Sequence, residues 1–207
     1  MIEAANVAAI LLAAGTSQRF GVEDKLLARL GDEPLALHAA RRIVEFAPGR
    51  RIAVCPDNHG MLARTLAAEG FQIVANPHAE RGLSQSLSRG IAEAALGREI
   101  ASLVCLADMP FVSTKHLHNL LARFDPSTAP VVATTDGAAT MPPALFDRTR
   151  VEKLQRGVGD RGGKTLLADA ELVRAPAEEL LDIDRPDDLP PRRPRRIAIT
   201  SSPAIYR

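Results

Sequence analysis

Cysteine is scarce in this chain: 207 residues contain Cys55 and Cys105, and both sit inside apolar runs, RIAVC and SLVCL. Such settings suit small buried hydrophobes rather than metal ligands or reactive thiolates, which favour polar, electropositive surroundings. A reducing compartment follows, and the cytoplasm is the expected location. An excess of charge of one sign is also lacking. With 26 basic residues against 25 acidic, the net charge is +1, so no global field draws the chain onto nucleic acid, and any anion site must be local. The apolar opening MIEAANVAAILLAAG has no basic region before it and runs straight into Thr16, Ser17, Gln18 and Arg19. It reads as neither a signal peptide nor a membrane span. Two nucleotide motifs are missing as well, since neither GxxxxGK[ST] nor GxGxxG occurs.

What is present is the composition of an ordinary globular domain, 46% hydrophobic and 25% charged. The length suffices for one domain to bury a core without disulfides or a structural metal. Short apolar runs alternate with segments of helical period, which implies a mostly parallel sheet covered by helices. The strand candidates are 7–12, 51–54, 72–74, 102–106, 131–134 and 172–174, most of them bounded by Gly, Pro, Asn or Asp. Helical period marks 35–44, and it marks 114–124 through Leu117, Leu120, Leu121 and Phe124, with Ser113 or Thr114 placed to cap it. Leu83, Leu87, Ile91 and Ala95 mark a further helix and are expected to face the core. No internal repeat occurs at solenoid periods. A domain over 1–189 is expected to give way to a tail over 190–207, where PPRRPRR can form neither a helix nor a central strand.

Chemistry concentrates in three segments. After the first strand comes AAGTSQRFGVEDKLL, in which Gly15 and Gly21 let backbone N–H groups approach an anion while Arg19 and Lys25 supply charge for phosphate oxygens. An ordinary surface turn has the same spacing. The apolar strand SLVCL leads to Asp108, Met109 and Pro110, so a carboxylate stands at the same sheet edge, placed to hold Mg²⁺ beside a triphosphate or else to cap a turn. Asp182 and Asp184 lie in LLDIDRPDDL, which alone reads as a turn and helix start. His38, His59, His78, His116 and His118 are too scattered for a metal pattern and read as surface or capping residues. Met109 and Met141 read as packing.

Taken together, LAAGTSQRFG with Lys25, NPHAERGLSQSLSRGI (76–91), LADMPFVS (106–113), GDRGGKTLL (159–167) and LLDIDRPDDL (180–189) occur in an order that resembles the molybdopterin-type nucleotidyltransferases, and most closely their molybdenum cofactor cytidylyltransferase branch. The resemblance runs from Val7 to Leu189. Phe20 replaces the usual Met of the opening motif. Met141 to Phe146 reads MPPALF where that family commonly has GHPVLF, so a His is lost and the acceptor is left open. Isoprenoid cytidylyltransferases, which act on a methylerythritol phosphate, usually show DAARP where LADMP stands here.

The resemblance implies a three-layer Rossmann-like fold, that of the nucleotide-diphospho-sugar transferases. It also implies transfer of CMP from CTP to molybdopterin, with release of pyrophosphate. It assigns Lys25 to the α-phosphate, Arg19 to the outer phosphates, and Leu12, Ala13, Ala14 and Gly15 to the nucleotide. Asp108 and Asp184 would hold Mg²⁺, Gly82 and Ser86 would line base and ribose, and Asp160 and Arg161 would lie on the acceptor side. LAAG, in place of the guanylyl enzymes' LAGG, points to a pyrimidine, with the Ala14 methyl narrowing the base slot. A molybdoenzyme is the partner that would receive the product; nucleic acid and membrane are not expected partners. Two other readings share the nucleotide half of the site: cytidylyl or uridylyl transfer to a sugar or polyol phosphate, and a non-catalytic carrier that delivers cofactor to a molybdoenzyme.

Overall fold

The computed structural model describes residues 2–15, 24–150, 167, 169–185 and 188. In chain order the strands are β1 (Val7–Leu12), β2 (Arg29–Leu30), β3 (Glu33–Pro34), β4 (Arg50–Cys55), β5 (Gln72–Ala75), β6 (Ala101–Leu106), β7 (Val131–Thr135), β8 (Thr140–Asp147) and β9 (Glu171–Arg174). The α-helices are α1 (Leu35–Phe46), α2 (Met61–Ala68), α3 (Leu83–Ala95) and α4 (Thr114–Arg123). Seven strands form one sheet in the order β5-β4-β1-β6-β8-β7-β9, and β2 and β3 make a small separate hairpin. All pairings in the large sheet are parallel except those of β8, which runs antiparallel to both β6 and β7. Every strand expected from the sequence is present, with ends moved by one residue at most.

β8 escaped sequence reading because Pro142 and Pro143 lie inside it, and proline gives no N–H to a ladder. The structure accommodates them at an irregularity: the register with β7 steps from Ala133↔Ala144 to Thr134↔Met141, so both prolines fall between paired residues. The Thr134 hydroxyl donates to the Pro143 carbonyl at 2.7 Å, which satisfies an acceptor the ladder leaves over.

β1 is buried along its whole length, as a central parallel strand must be when helices cover both faces. Its side chains divide by the two-residue period of a strand. Val7, Ala9, Leu11 and Ala13 join a core with residues of α1, α2 and α4, whereas Ala8, Ile10, Leu12 and Ala14 join a second core with Ile91 and Ala94 of α3. The approach of α3 is close. A Cβ on Gly90 would lie 2.5 Å from Ile10 Cγ2 and 3.0 Å from Val54 Cγ2, so glycine is required for this contact. That approach turns Ser86, Gly90, Ile91 and Ala94 inward, and it corrects the expected stripe, because Leu83 is 54% exposed.

His116 also departs from expectation. It is buried on α4, with Nε2 at 2.8 Å from Thr134 Oγ1, and is a core residue rather than a surface one. Met109 is buried and Met141 packs against the same core, as expected. Ser113 caps α4 by accepting from the His116 N–H at 3.2 Å. No helix among the described residues is long and apolar enough to cross a membrane.

Candidate active site

The carboxyl ends of β1 and β6 lie side by side where the strand order reverses, with β4 and β5 on one flank of β1 and β6 on the other. Crevices at such switch points are where open α/β sheets take ligands. The ladder carries the chain just beyond β1: Ala13 N–H donates to Val54 O at 2.8 Å, and Ala107 N–H donates to Leu12 O at 3.1 Å. Gly15 then emerges exposed, and none of the described residues beyond its chain neighbours comes within 4 Å of where a Cβ would stand. Ala14 is different. Its methyl is 1% exposed and belongs to the core cluster beneath α3, so it does not line an open slot, and the expected steric reading of the base by that methyl is corrected. Leu12 and Ala13 are likewise buried, which leaves backbone groups as what this segment presents.

Lys25 opens a 3-10 turn (Lys25–Leu27) whose first N–H groups need a cap, and Asp24 supplies it by accepting from Leu26 N–H at 3.0 Å. The Lys25 side chain is 8% exposed. Its Nζ donates to Asp108 Oδ2 at 2.9 Å and to Asp184 Oδ1 at 2.6 Å. Burial works against the charged ammonium, but the hydrogen bond to Asp184 and the charge of Asp108 outweigh it and hold the Lys25 pKa above the ordinary lysine range.

Asp184 is delivered by the segment that follows the 3-10 turn Ala177–Glu179. Ile183 N–H donates to Asp108 O at 3.0 Å, and Glu179 Oε2 accepts from Ser113 N–H at 3.0 Å, so residues 179–184 are fastened to the loop after β6. Asp188 Oδ2 accepts from the N–H groups of Asp184 and Arg185 at 2.9 and 2.7 Å. The acidic cluster thus divides by role: Asp188 closes the turn and Asp184 faces Lys25. The donors at the centre are carboxylate oxygens, which a hard divalent ion prefers. Among the described residues no group of three His, Cys, Asp or Glu side chains could hold a metal. A carboxylate pair completed by water and phosphate oxygens is the arrangement Mg²⁺ commonly takes, so the residues fit that ion.

At the head of α3, Gly82 adopts φ 101° and ψ 172°, a conformation open to glycine and strained for other residues. Ser86 is 3% exposed, and its hydroxyl accepts from Asn76 Nδ2 at 2.9 Å. Asn76 is fully buried. Its backbone N–H donates to Cys55 O at 2.7 Å, and its Oδ1 accepts from His78 N–H at 3.2 Å. A backbone N–H can only donate, so the carboxamide orientation is determined and Ser86 is obliged to accept from it. Sequence reading placed Asn76 at the start of the 76–91 motif but gave it no role, although an Asn ahead of Pro77 and a glycine-led helix was the available signal.

Arg19 with Gly21, Asp160 with Arg161, and the tail 190–207 fall outside the described residues. Cys55 and Cys105 are buried and free, and burial pushes both thiols up to about 12, which makes them inert at neutral pH.

The chain is 31% identical over 192 residues to the purine catabolism protein PucB of Bacillus subtilis (strain 168), covering 86% of this chain and 92% of that one. Among solved structures, Rv0371c from Mycobacterium tuberculosis H37Rv matches with a TM-score of 0.72 at 22% identity, over 89% of this chain and 96% of that chain. A complex of Rv0371c with manganese matches with a TM-score of 0.67 at 20% identity, over 88% and 95%. The molybdopterin-guanine dinucleotide biosynthesis protein A from Archaeoglobus fulgidus matches with a TM-score of 0.65 at 19% identity, over 88% and 94%. At these identities the solved structures establish a shared fold. The MobA-like NTP transferase domain matches residues 9–175, most of the chain and all of its sheet but the start of β1, and this chain belongs to that family.

Proposed function

We propose that the chain transfers CMP from CTP to a molybdopterin-type acceptor and releases pyrophosphate, with Mg²⁺ as its metal. The observation that carries the reading is the convergence of Lys25, Asp108 and Asp184 at the switch point, directly beyond the loop that leaves β1. In nucleotidyl transfer the acceptor's phosphate attacks the α-phosphorus in line, so the protein's tasks are positioning and charge cancellation. Backbone groups of Ala13 to Gly15 would hold the triphosphate, Lys25 would move onto the α-phosphate, and Arg19 would take the outer phosphates. Gly82 leaves space at the head of α3 for base and ribose, and Ser86 keeps a hydroxyl proton to offer once it has accepted from Asn76. Asp160 and Arg161 would serve the acceptor. Mg²⁺ held by Asp108 and Asp184 would neutralise charge on the triphosphate and on the leaving pyrophosphate. The manganese complex of Rv0371c supports a divalent ion in this fold, and the name of the Archaeoglobus protein supports a molybdopterin acceptor. The choice of cytidine rests on LAAG.

Pyrophosphate release across CTP, GTP, UTP and ATP, with molybdopterin and with sugar or polyol phosphates, tests the reading. CTP with molybdopterin should be best, with CTP turned over faster than GTP. Lys25→Ala should lower turnover by about 10² to 10³. A preference for GTP would overturn the cytidylyl assignment alone; binding of cofactor without turnover would make the chain a carrier.

A further inference from the structure

We propose that the Lys25 ammonium is the resident counterion of the Asp108–Asp184 pair, so that a divalent ion enters only with a triphosphate that draws Lys25 away. The proposal rests on the nucleotidyl-transfer reading of this site and concerns its order of assembly. Lys25 Nζ lies 2.9 Å from Asp108 Oδ2 and 2.6 Å from Asp184 Oδ1. Mg²⁺ binds carboxylate oxygens at about 2.0–2.1 Å. An ion bridging those same two oxygens from the side on which Nζ stands would therefore compete with the ammonium for the same space. Two cations cannot share that volume, so the ammonium and the metal exclude each other.

The electrostatics assign the order. The ammonium is held by both carboxylates, whose negative charge opposes a bare triphosphate, and this gives Lys25 little reason to leave. A free divalent ion must break both ion pairs and strand the ammonium, whose side chain is 8% exposed, without a partner; a buried charge stripped of its partners is costly. A metal-bound triphosphate removes both obstacles, because it brings its own cation to the carboxylates and offers phosphate oxygens to the displaced lysine. The backbone at Lys25 can stay still meanwhile, since Asp24 caps its turn and only the side chain swings. Metal and nucleotide are then positively coupled ligands, each raising the affinity for the other by the same factor.

The test is Mn²⁺ binding to the whole, nucleotide-free chain, followed by the electron paramagnetic resonance signal of free Mn²⁺. Wild type should bind Mn²⁺ weakly, and Lys25→Met should bind it more tightly by roughly 5- to 150-fold, the usual span of such couplings. Lys25→Arg, which keeps a cation between the carboxylates, should return to weak binding, and Lys25→Met with Asp184→Asn should lose the gain. Wild type supplies a second measurement that needs no folded variant: Mn²⁺ alone should leave its Tm unchanged, and Mn²⁺ with CTP should raise it. The proposal is overturned if nucleotide-free wild type binds Mn²⁺ as tightly as Lys25→Met, or if Mn²⁺ alone raises the Tm as much as Mn²⁺ with CTP. Failure of the underlying reading appears in a different assay, as no pyrophosphate release from wild type with any nucleotide.

Discussion

At the scale of single residues, Asp108 and His116 show how burial and partners decide what a titratable group does. Asp108 bonds to Lys25 and carries on its own carbonyl the N–H of Ile183, so one residue joins both acidic segments of the site. Asp108→Asn keeps the shape and the backbone contact while removing the charge. Mg²⁺-dependent turnover should fall on the order of 10²-fold or more with the fold unchanged by circular dichroism, and equal turnover at equal Mg²⁺ would leave Asp108 a turn residue. His116 has a different duty. The Thr134 hydroxyl has one proton and gives it to Pro143 O, so the Nε2 that faces it must donate, and the neutral ring carries its proton there. Burial lowers the pKa of His116 below the ordinary value, with the charge of Glu179 opposing in part. A histidine held neutral in the folded state contributes its full stability above its unfolded pKa of about 6.5, and that contribution is lost as pH falls from there towards the folded pKa. Urea unfolding of wild type and His116→Gln at several pH values should therefore give curves that converge as pH falls from 7.5 to 5.5. Parallel curves would contradict the assignment.

At the scale of elements, α3 is the piece whose placement matters most for the site. Its head presents Gly82, its second turn is tied to Asn76 through Ser86, and its middle rests on β1 and β4 at Gly90. Valine at position 90 would force its branched side chain into Ile10 and Val54, and overpacking of this kind costs about 1–3 kcal/mol. The loss should show as a lower midpoint in urea and, because Gly82 moves with the helix, as a higher KM for CTP. A stability change within about 0.5 kcal/mol, the ordinary range for surface substitutions, would show that the contact yields easily. The same helix shows where reading by period goes astray. Leu83, Leu87, Ile91 and Ala95 have the right spacing for a buried stripe, yet Leu83 is exposed, and beside Ile91 the line that meets the sheet is Ser86, Gly90 and Ala94, small residues that permit a close approach and carry little hydrophobic signal. β8 was illegible for a related reason: its two prolines deny the strand pattern, and only the step in its pairing with β7 makes room for them.

At the scale of the whole molecule, the amino-acid sequence alone determined the class of fold, the central strand, the cap of α4 and the burial of both cysteines, and it singled out Lys25, Asp108 and Asp184. These follow from local causes: the two-residue period of strands, the hydroxyl that satisfies a helix N-terminus, and the apolar neighbours of each thiol. What only the tertiary structure decided is how the named residues meet. Lys25 is 83 residues from Asp108 and 159 from Asp184, and no periodicity or spacing in the chain says that one ammonium stands between both carboxylates. That contact exists because β1 and β6 pair in parallel, Leu26 of the turn at Lys25 joins the core on one face of the sheet, and Ile183 bonds back to Asp108. Tertiary packing likewise sent the Ala14 methyl into the core instead of the base slot, and it made His116 a buried donor, since which side of a layer a residue faces depends on what the rest of the chain places against it.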